Sequence, residues 1–234
     1  MQVGISVLLS FYKGQTYFQE QFESIIIQME KSDELIIRDD GSNSSEYLSE
    51  IIFNNMHAYM LFKDQKIILL DGENVGVNKS FSKLLARAKH PVSVFCDQDD
   101  IWRPGRLESA RTHSNSDVHC VNYCVDGKSQ FPALHRRTTS STLLRNFVPG
   151  CCMSGKSMYL LDIICRLPDS VIYDHALLYL SLSAGGNVTF DDEVLVSYRR
   201  HSETVTKFGS FVPNGILSAI QLRYRLLELK KELT

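Results

Sequence analysis

The run Val92-Ser93-Val94-Phe95-Cys96 stops abruptly at Asp97-Gln98-Asp99-Asp100, followed by Ile101-Trp102. A short apolar run bounded by polar residues reads as a buried strand. A strand that ends in acid delivers its charges to the rim of a sheet, where open α/β proteins bind ligands. Asp97 and Asp99 are two residues apart, so extended backbone points both carboxylates to the same side. Two such carboxylates repel, and a hard divalent cation, Mg²⁺ or Mn²⁺, relieves the repulsion. The competing reading is an acidic loop that caps a helix starting near Pro104.

The preceding chain repeats one pattern. Residues 3–10, 34–38, 66–70 and 92–96 are apolar runs of strand length. Between them, apolar residues recur at helical spacing: Phe18, Phe22, Ile25, Ile26 and Met29, then Tyr47, Leu48, Ile51 and Ile52, then Phe81, Leu84, Leu85 and Ala88. Thr16 and Gln19 fit a capping box for the first helix. The alternation predicts an α/β fold, a mainly parallel sheet flanked by helices. The second strand ends in Asp39-Asp40-Gly41-Ser42. In a parallel sheet this pair shares a rim with Asp97 and Asp99. One pair can serve a metal and the other a nucleoside, because a carboxylate accepts from a pyrimidine imide N–H and from sugar hydroxyls. The plainer reading of Asp39-Asp40-Gly41-Ser42 is turn and cap chemistry. Neither a Gly-rich dinucleotide fingerprint nor a Walker phosphate loop is present, which argues against nicotinamide, flavin and P-loop enzymes.

The second half is less regular. Helices are expected from Pro104 to about Ser114 and across Met158, Leu160, Leu161, Ile164 and Cys165. A third is expected over 176–182, with Asp174 as a cap before His175. Strands are expected at 118–125, 147–153, 188–190 and 194–198, with a loop around His135-Arg136-Arg137. Residues 216–233 form a basic amphipathic pattern, suited to an anionic membrane, to core packing or to a homodimer contact.

The formal net charge of −2 leaves no basic surplus for phosphate neutralisation, so duplex nucleic acid is not an expected partner. No apolar run reaches the roughly 20 residues of a membrane span. Met1-Gln2-Val3-Gly4-Ile5 enters a strand without a charged leader, which predicts no signal peptide. Cys96, Cys120, Cys124, Cys151, Cys152 and Cys165 show no CxxC spacing and are expected as reduced core residues. A cytoplasmic protein, able to lie at the inner face of a membrane, is the corresponding expectation. His57, His90, His113, His119 and His135 show no ligand spacing.

Several pieces together carry a family resemblance: Val7-Leu8-Leu9-Ser10-Phe11-Tyr12, Asp39-Asp40-Gly41-Ser42, Asn74-Val75-Gly76 with Phe81, and Asp97-Gln98-Asp99-Asp100-Ile101-Trp102. Val148-Pro149-Gly150-Cys151, Asp174 and Tyr198-Arg199-Arg200-His201 follow. The sequence resembles inverting glycosyltransferases of family 2 with the GT-A fold, and most of all rhamnosyltransferase-like members. The resemblance implies one catalytic domain over residues 1–205: a nucleotide-sugar-binding half to 115, an acceptor half after it, and a tail over 206–234. It implies that Ser10, Phe11, Tyr12, Asp39, Asp40, Asn74 and Asp97 hold a nucleotide-diphosphate sugar. Asp97, Asp99 and His201 would hold Mn²⁺ or Mg²⁺. Gly150, Trp102 and His175 would border a glycan or lipid-linked glycan acceptor, with packing beneath the acid loop the other reading of Trp102, and Asp174 would be the general base. Relatives often place two aromatics after that base, where this chain has His175-Ala176. The alternatives are a sugar nucleotidyltransferase, for which Phe11-Tyr12-Lys13-Gly14 lacks a Gly- and Arg-rich phosphate loop, and a nucleotide-sugar-binding partner with weakened catalysis.

Overall fold

The structure is a computed structural model that describes residues 3–125, 128–129, 138–144, 146, 148–200 and 222–231. Strands β1 (Ile5–Phe11), β2 (Glu34–Asp40), β3 (Ile67–Gly72) and β4 (Val92–Cys96) form a parallel half-sheet in the order β3-β2-β1-β4. β2 is buried throughout, as is β4, which is what a strand covered on both faces requires. The covering helices are α1 (Gln15–Ile26), α2 (Ser45–Asn54), α3 (Met56–Lys63) and α4 (Val77–Arg87). The register pairs Phe11 with Asp39, Asp39 with Asp71, and Leu9 with Cys96. The four loops that follow these strands therefore open on one rim, as the alternation predicts.

Local chemistry moves three boundaries. α1 starts at Gln15 because the Gly14 carbonyl accepts from Phe18 N–H at 3.2 Å, so Thr16 lies inside the helix and caps nothing. The second helical stretch divides at Asn55, which is extended and accepts from Ala58 N–H at 3.1 Å. That cap starts α3, which the apolar pattern does not reveal. α5 (Arg106–Thr112) begins after Gly105, whose left-handed φ of 95° makes a turn with Pro104.

The sheet continues through β5 (Ile101–Trp102), β6 (Val118–Val125), β7 (Lys128–Ser129), β8 (Met153–Lys156) and β9 (Val188–Ser197), in the order β4-β8-β6-β9-β5 with β7 on β6. β8 runs antiparallel to both neighbours. The strand expected at 147–153 is instead a 3₁₀ turn, Gly150–Cys152, leading into β8. The two late strands are one strand, β9, with its register shifted against Val121 and Asn122 of β6. α6 (Thr139–Leu144), α7 (Ser157–Ile164) and α8 (Tyr173–Ser183) complete this half. α8 is buried almost all round, as an interior helix must be.

A last helix, α9, spans 222–231. Its Leu226 and Leu229 belong to the core, and Arg223 donates to the Leu144 carbonyl at 3.1 Å. This part of the expected 216–233 helix therefore packs its apolar face on the domain. Asp126-Gly127, His135-Arg136-Arg137 and His201 lie outside the described residues. Far from the rim, Arg111 of α5 makes a bidentate pair with buried Asp33, at 2.8 and 2.7 Å. Asp33 also accepts from Ile5 N–H and Glu30 N–H, tying β1 to the entry of β2.

Candidate active site

The chain leaves β4 at Cys96 and turns at Gln98-Asp99. That turn defeats the simple alternation argument for Asp97 and Asp99. At this turn one compact donor set is Asp97, Asp100 and Cys151, with one ligand atom of each within 4.8 Å of the others. Asp100 is buried: its Oδ1 accepts from Arg199 N–H at 3.1 Å, and its Oδ2 has no hydrogen-bond partner. Burial pushes Asp97 well above the usual carboxylate range, and Asp100, Asp99 and Asp174 add repulsion. Burial, then Asp99, pushes Asp100 up to about 7. The Cys151 thiol, close to both carboxylates, favours their ionised forms and offsets part of this. Mutually repelling carboxylates with an orphaned buried oxygen fit a divalent cation.

Asp174 approaches the same acids from α8. The helix begins at Tyr173 with Ile172 as cap residue, so Asp174 sits in the first turn rather than at the cap expected before His175. Its carboxylate accepts from His175 N–H at 2.6 Å, and from Asn146 and the Gly150 N–H. Asn78 of α4 fixes this helix start, donating to the Val171 carbonyl at 2.6 Å and accepting from Tyr173 N–H at 3.1 Å. Tyr173 then packs on Phe81 and Phe95, with ring centroids 4.7 and 5.1 Å away. Burial raises Asp174 to about 6 despite its donors. A carboxylate poised there is largely ionised at neutral pH yet basic enough to take a proton.

The loops after β1 to β3 form the other side of the rim. Ser10 Oγ pairs with Ser80 Oγ at 2.6 Å. Phe11 is fully buried against Phe18, so only its backbone reaches the rim. Tyr12 is exposed. Asp39 accepts from Ser42 N–H, the Ser42 hydroxyl and Ser44 N–H, the last at 2.6 Å. Asp40 pairs with Arg38 and accepts from Val75 and Gly76 N–H, both at 3.1 Å. The turn-and-cap reading of this acid pair thus holds within the protein. Asn74 is exposed, and its backbone abuts Gly41, whose φ is +84°.

Two residues expected at the acceptor are buried. Trp102 is buried below the acid loop with Arg106 over its ring, so it does not wall an open pocket. His175 is buried and bonded through Nε2 to the Thr142 carbonyl at 2.5 Å, so it holds α6 rather than a ligand. Gly150 sits beside Asp174. Sequence reasoning gave no role to Cys151, Gln98, Asn146 or Arg106. Cys151 and Gln98 lie inside quoted motifs, but only the fold shows what their side chains reach. His113 and His119 also come together, stacked at 4.0 Å beside Asp191, in a network joined by Ser109. All six cysteines are free, and all but Cys165 are buried.

The sequence model described as Glycosyl transferase family 2 matches residues 6–163. The chain belongs to glycosyl transferase family 2. It is 23% identical over 223 residues to an uncharacterized glycosyltransferase of Rickettsia bellii, covering 87% of this chain and 31% of that protein. It is likewise 23% identical over 220 residues to one of Rickettsia prowazekii, covering 86% and 65%. The chain thus spans 31% and 65% of the length of these two relatives. Among solved structures it resembles S. aureus TarS 1-349 in complex with UDP-GlcNAc, with TM-score 0.71, 15% identity, and coverage of 97% of this chain and 66% of that one. It also resembles the mannosyltransferase PcManGT of Pyrobaculum calidifontis in complex with GDP-Man and Mn²⁺, with TM-score 0.65, 15% identity, and coverage of 99% and 65%. The fold is that of GT-A glycosyltransferases. Among the described residues, no helix is long and apolar enough to cross a membrane.

Proposed function

We propose that this family 2 glycosyltransferase is inverting and metal-assisted. It moves a sugar from a UDP- or dTDP-sugar, with dTDP-rhamnose one candidate, to a hydroxyl of a polysaccharide or lipid-linked oligosaccharide. The observation that carries the reading is that Asp174, held by several donors, acts electrostatically on Asp97 at the acid rim. Inversion needs an acceptor hydroxyl to attack the anomeric carbon from the side opposite the leaving nucleoside diphosphate. Asp174 takes the hydroxyl proton as that bond forms. Its pairing with the Gly150 and His175 N–H groups fixes its direction. Asp97, Asp99 and Asp100 would hold a divalent cation, which supplies charge neutralisation for the leaving diphosphate. Ser10, Tyr12 and the Asp39 loop present the polar groups for the nucleoside. A pyrimidine imide shares Asp39 with Ser42 and Ser44 or displaces the Ser42 hydroxyl. The neighbours' complexes with UDP-GlcNAc and with GDP-Man and Mn²⁺ support a nucleotide-sugar donor. Thermal-shift measurements with UDP-, dTDP- and GDP-sugars, with and without Mn²⁺, test this, because a ligand of the folded state raises its apparent stability. A cation-dependent rise with one donor class is expected. No shift with any donor contradicts the reading.

A further inference from the structure

We propose that Gln98 is a positioning residue that couples nucleoside binding to cation binding; this rests on the donor-site reading above. Gln98 lies between Asp97 and Asp99, on the turn that carries the candidate metal ligands. Its side chain points away from them and spans to the end of β1. There its Oε1 accepts from Tyr12 N–H at 2.7 Å, and its Nε2 donates to the Tyr12 carbonyl at 2.9 Å. One amide thus saturates both main-chain groups of Tyr12, in the manner of a strand neighbour. No other side-chain type of this length supplies a donor and an acceptor in one plane.

Gly14 leaves the space that this amide fills. A β-carbon on Gly14 would lie 2.3 Å from Gln98 Cδ and 2.4 Å from its Oε1. Gly14 is not there for backbone freedom, because its φ of −97° is open to any residue. Space for the Gln98 side chain is the reason that remains. Lys13, with its φ of 53° and its ammonium 5.1 Å from the Tyr12 ring centroid, completes a tightly bent segment that the clamp holds in place.

The consequence is mechanical. A nucleoside seated on the Ser10–Tyr12 backbone orders the partner of Gln98, and a cation on the acid turn orders its main chain. Each ligand therefore pre-organises part of the other's site, and linkage makes the effect reciprocal. Direct contact between a cation and a diphosphate adds to this coupling but does not depend on residue 98.

The test is a binding cycle on the full chain: the Kd of UDP, dTDP and GDP with and without Mn²⁺, and the Kd of Mn²⁺ with and without uridine or thymidine, which carry no phosphate for the cation to touch. In Gln98→Ala the diphosphate–Mn²⁺ coupling factor is expected to fall about fivefold or more, and the nucleoside–Mn²⁺ coupling to vanish. Gly14→Ala, which displaces the clamp without altering any group that could touch a ligand, should reproduce both losses. A merely structural defect would weaken each ligand alone and leave the coupling factors as they are; unchanged factors in both variants overturn the proposal. A wild type that binds none of the diphosphates contradicts the donor-site reading itself, and this inference with it.

Discussion

The hydroxyl oxygen of Tyr173 lies 1.7 Å from where a β-carbon on Gly150 would be. Tyr173 is pinned by Phe81, Phe95 and the Asn78 bond to its N–H, so it cannot retreat cheaply. Gly150→Ala must instead push the 3₁₀ turn off α8, and the Gly150 N–H that holds Asp174 goes with it. Misplacing a base by about 1 Å costs on the order of 10²-fold in rate. Gly150→Ala is therefore expected to lower kcat by about that factor while the Kd for donor stays near wild type, as read by steady-state kinetics and titration.

Asp174 also sets a pH profile. Burial raises its carboxyl to about 6, and a base works only when ionised. The value of kcat/KM should rise with pH through about 6 and level off above it. In Asn146→Ala the limb should move to higher pH, because a donor that favours the ionised form is lost.

The acid turn predicts how a cation affects stability. Asp97 and Asp100 both have raised folded-state values, that of Asp100 about 7. Their stabilising contribution is full below the ordinary carboxylate range and is lost as pH rises through about 7. A divalent cation removes the repulsion that causes the loss. The rise in Tm on adding Mn²⁺ should therefore be larger near pH 8 than near pH 5, by differential scanning fluorimetry. An equal rise at both would separate the cation from these carboxylates.

Arg111 and Asp33 should govern folding and leave chemistry untouched. Both are buried, and the pair joins α5 to the starts of β1 and β2. Arg111→Met leaves the Asp33 charge buried and uncompensated, at a cost of about 3–5 kcal/mol. Chemical denaturation should show that loss, with kcat unchanged at temperatures where the variant is folded.

Much of this was legible in the sequence. The apolar runs ending at Ser10, Arg38, Leu70 and Cys96 alternate with helical patterns, and that alone places four loops on one rim. The acids of those loops are found there. What pattern reading misses depends on where side chains reach. Asp97 and Asp99 look like an extended pair, but the chain turns at Gln98, and Asp100 with Cys151 takes the place beside Asp97. Cys151 is 51 residues further along the chain than Asp100, so no local spacing announces it. The resemblance places Trp102 and His175 at the acceptor, yet both are buried by packing that only the tertiary structure defines. α3 escaped because its start depends on one capping amide, that of Asn55, rather than on apolar period.

The most direct measurement is release of nucleoside diphosphate from the preferred UDP- or dTDP-sugar by wild type and Asp174→Asn, in the presence of Mn²⁺ and an acceptor glycan. Asparagine keeps the size of the side chain but cannot take a proton. The account predicts donor affinity within about twofold of wild type and turnover lower by about 10²- to 10⁴-fold. Turnover equal to wild type in Asp174→Asn, with donor bound normally, would contradict it.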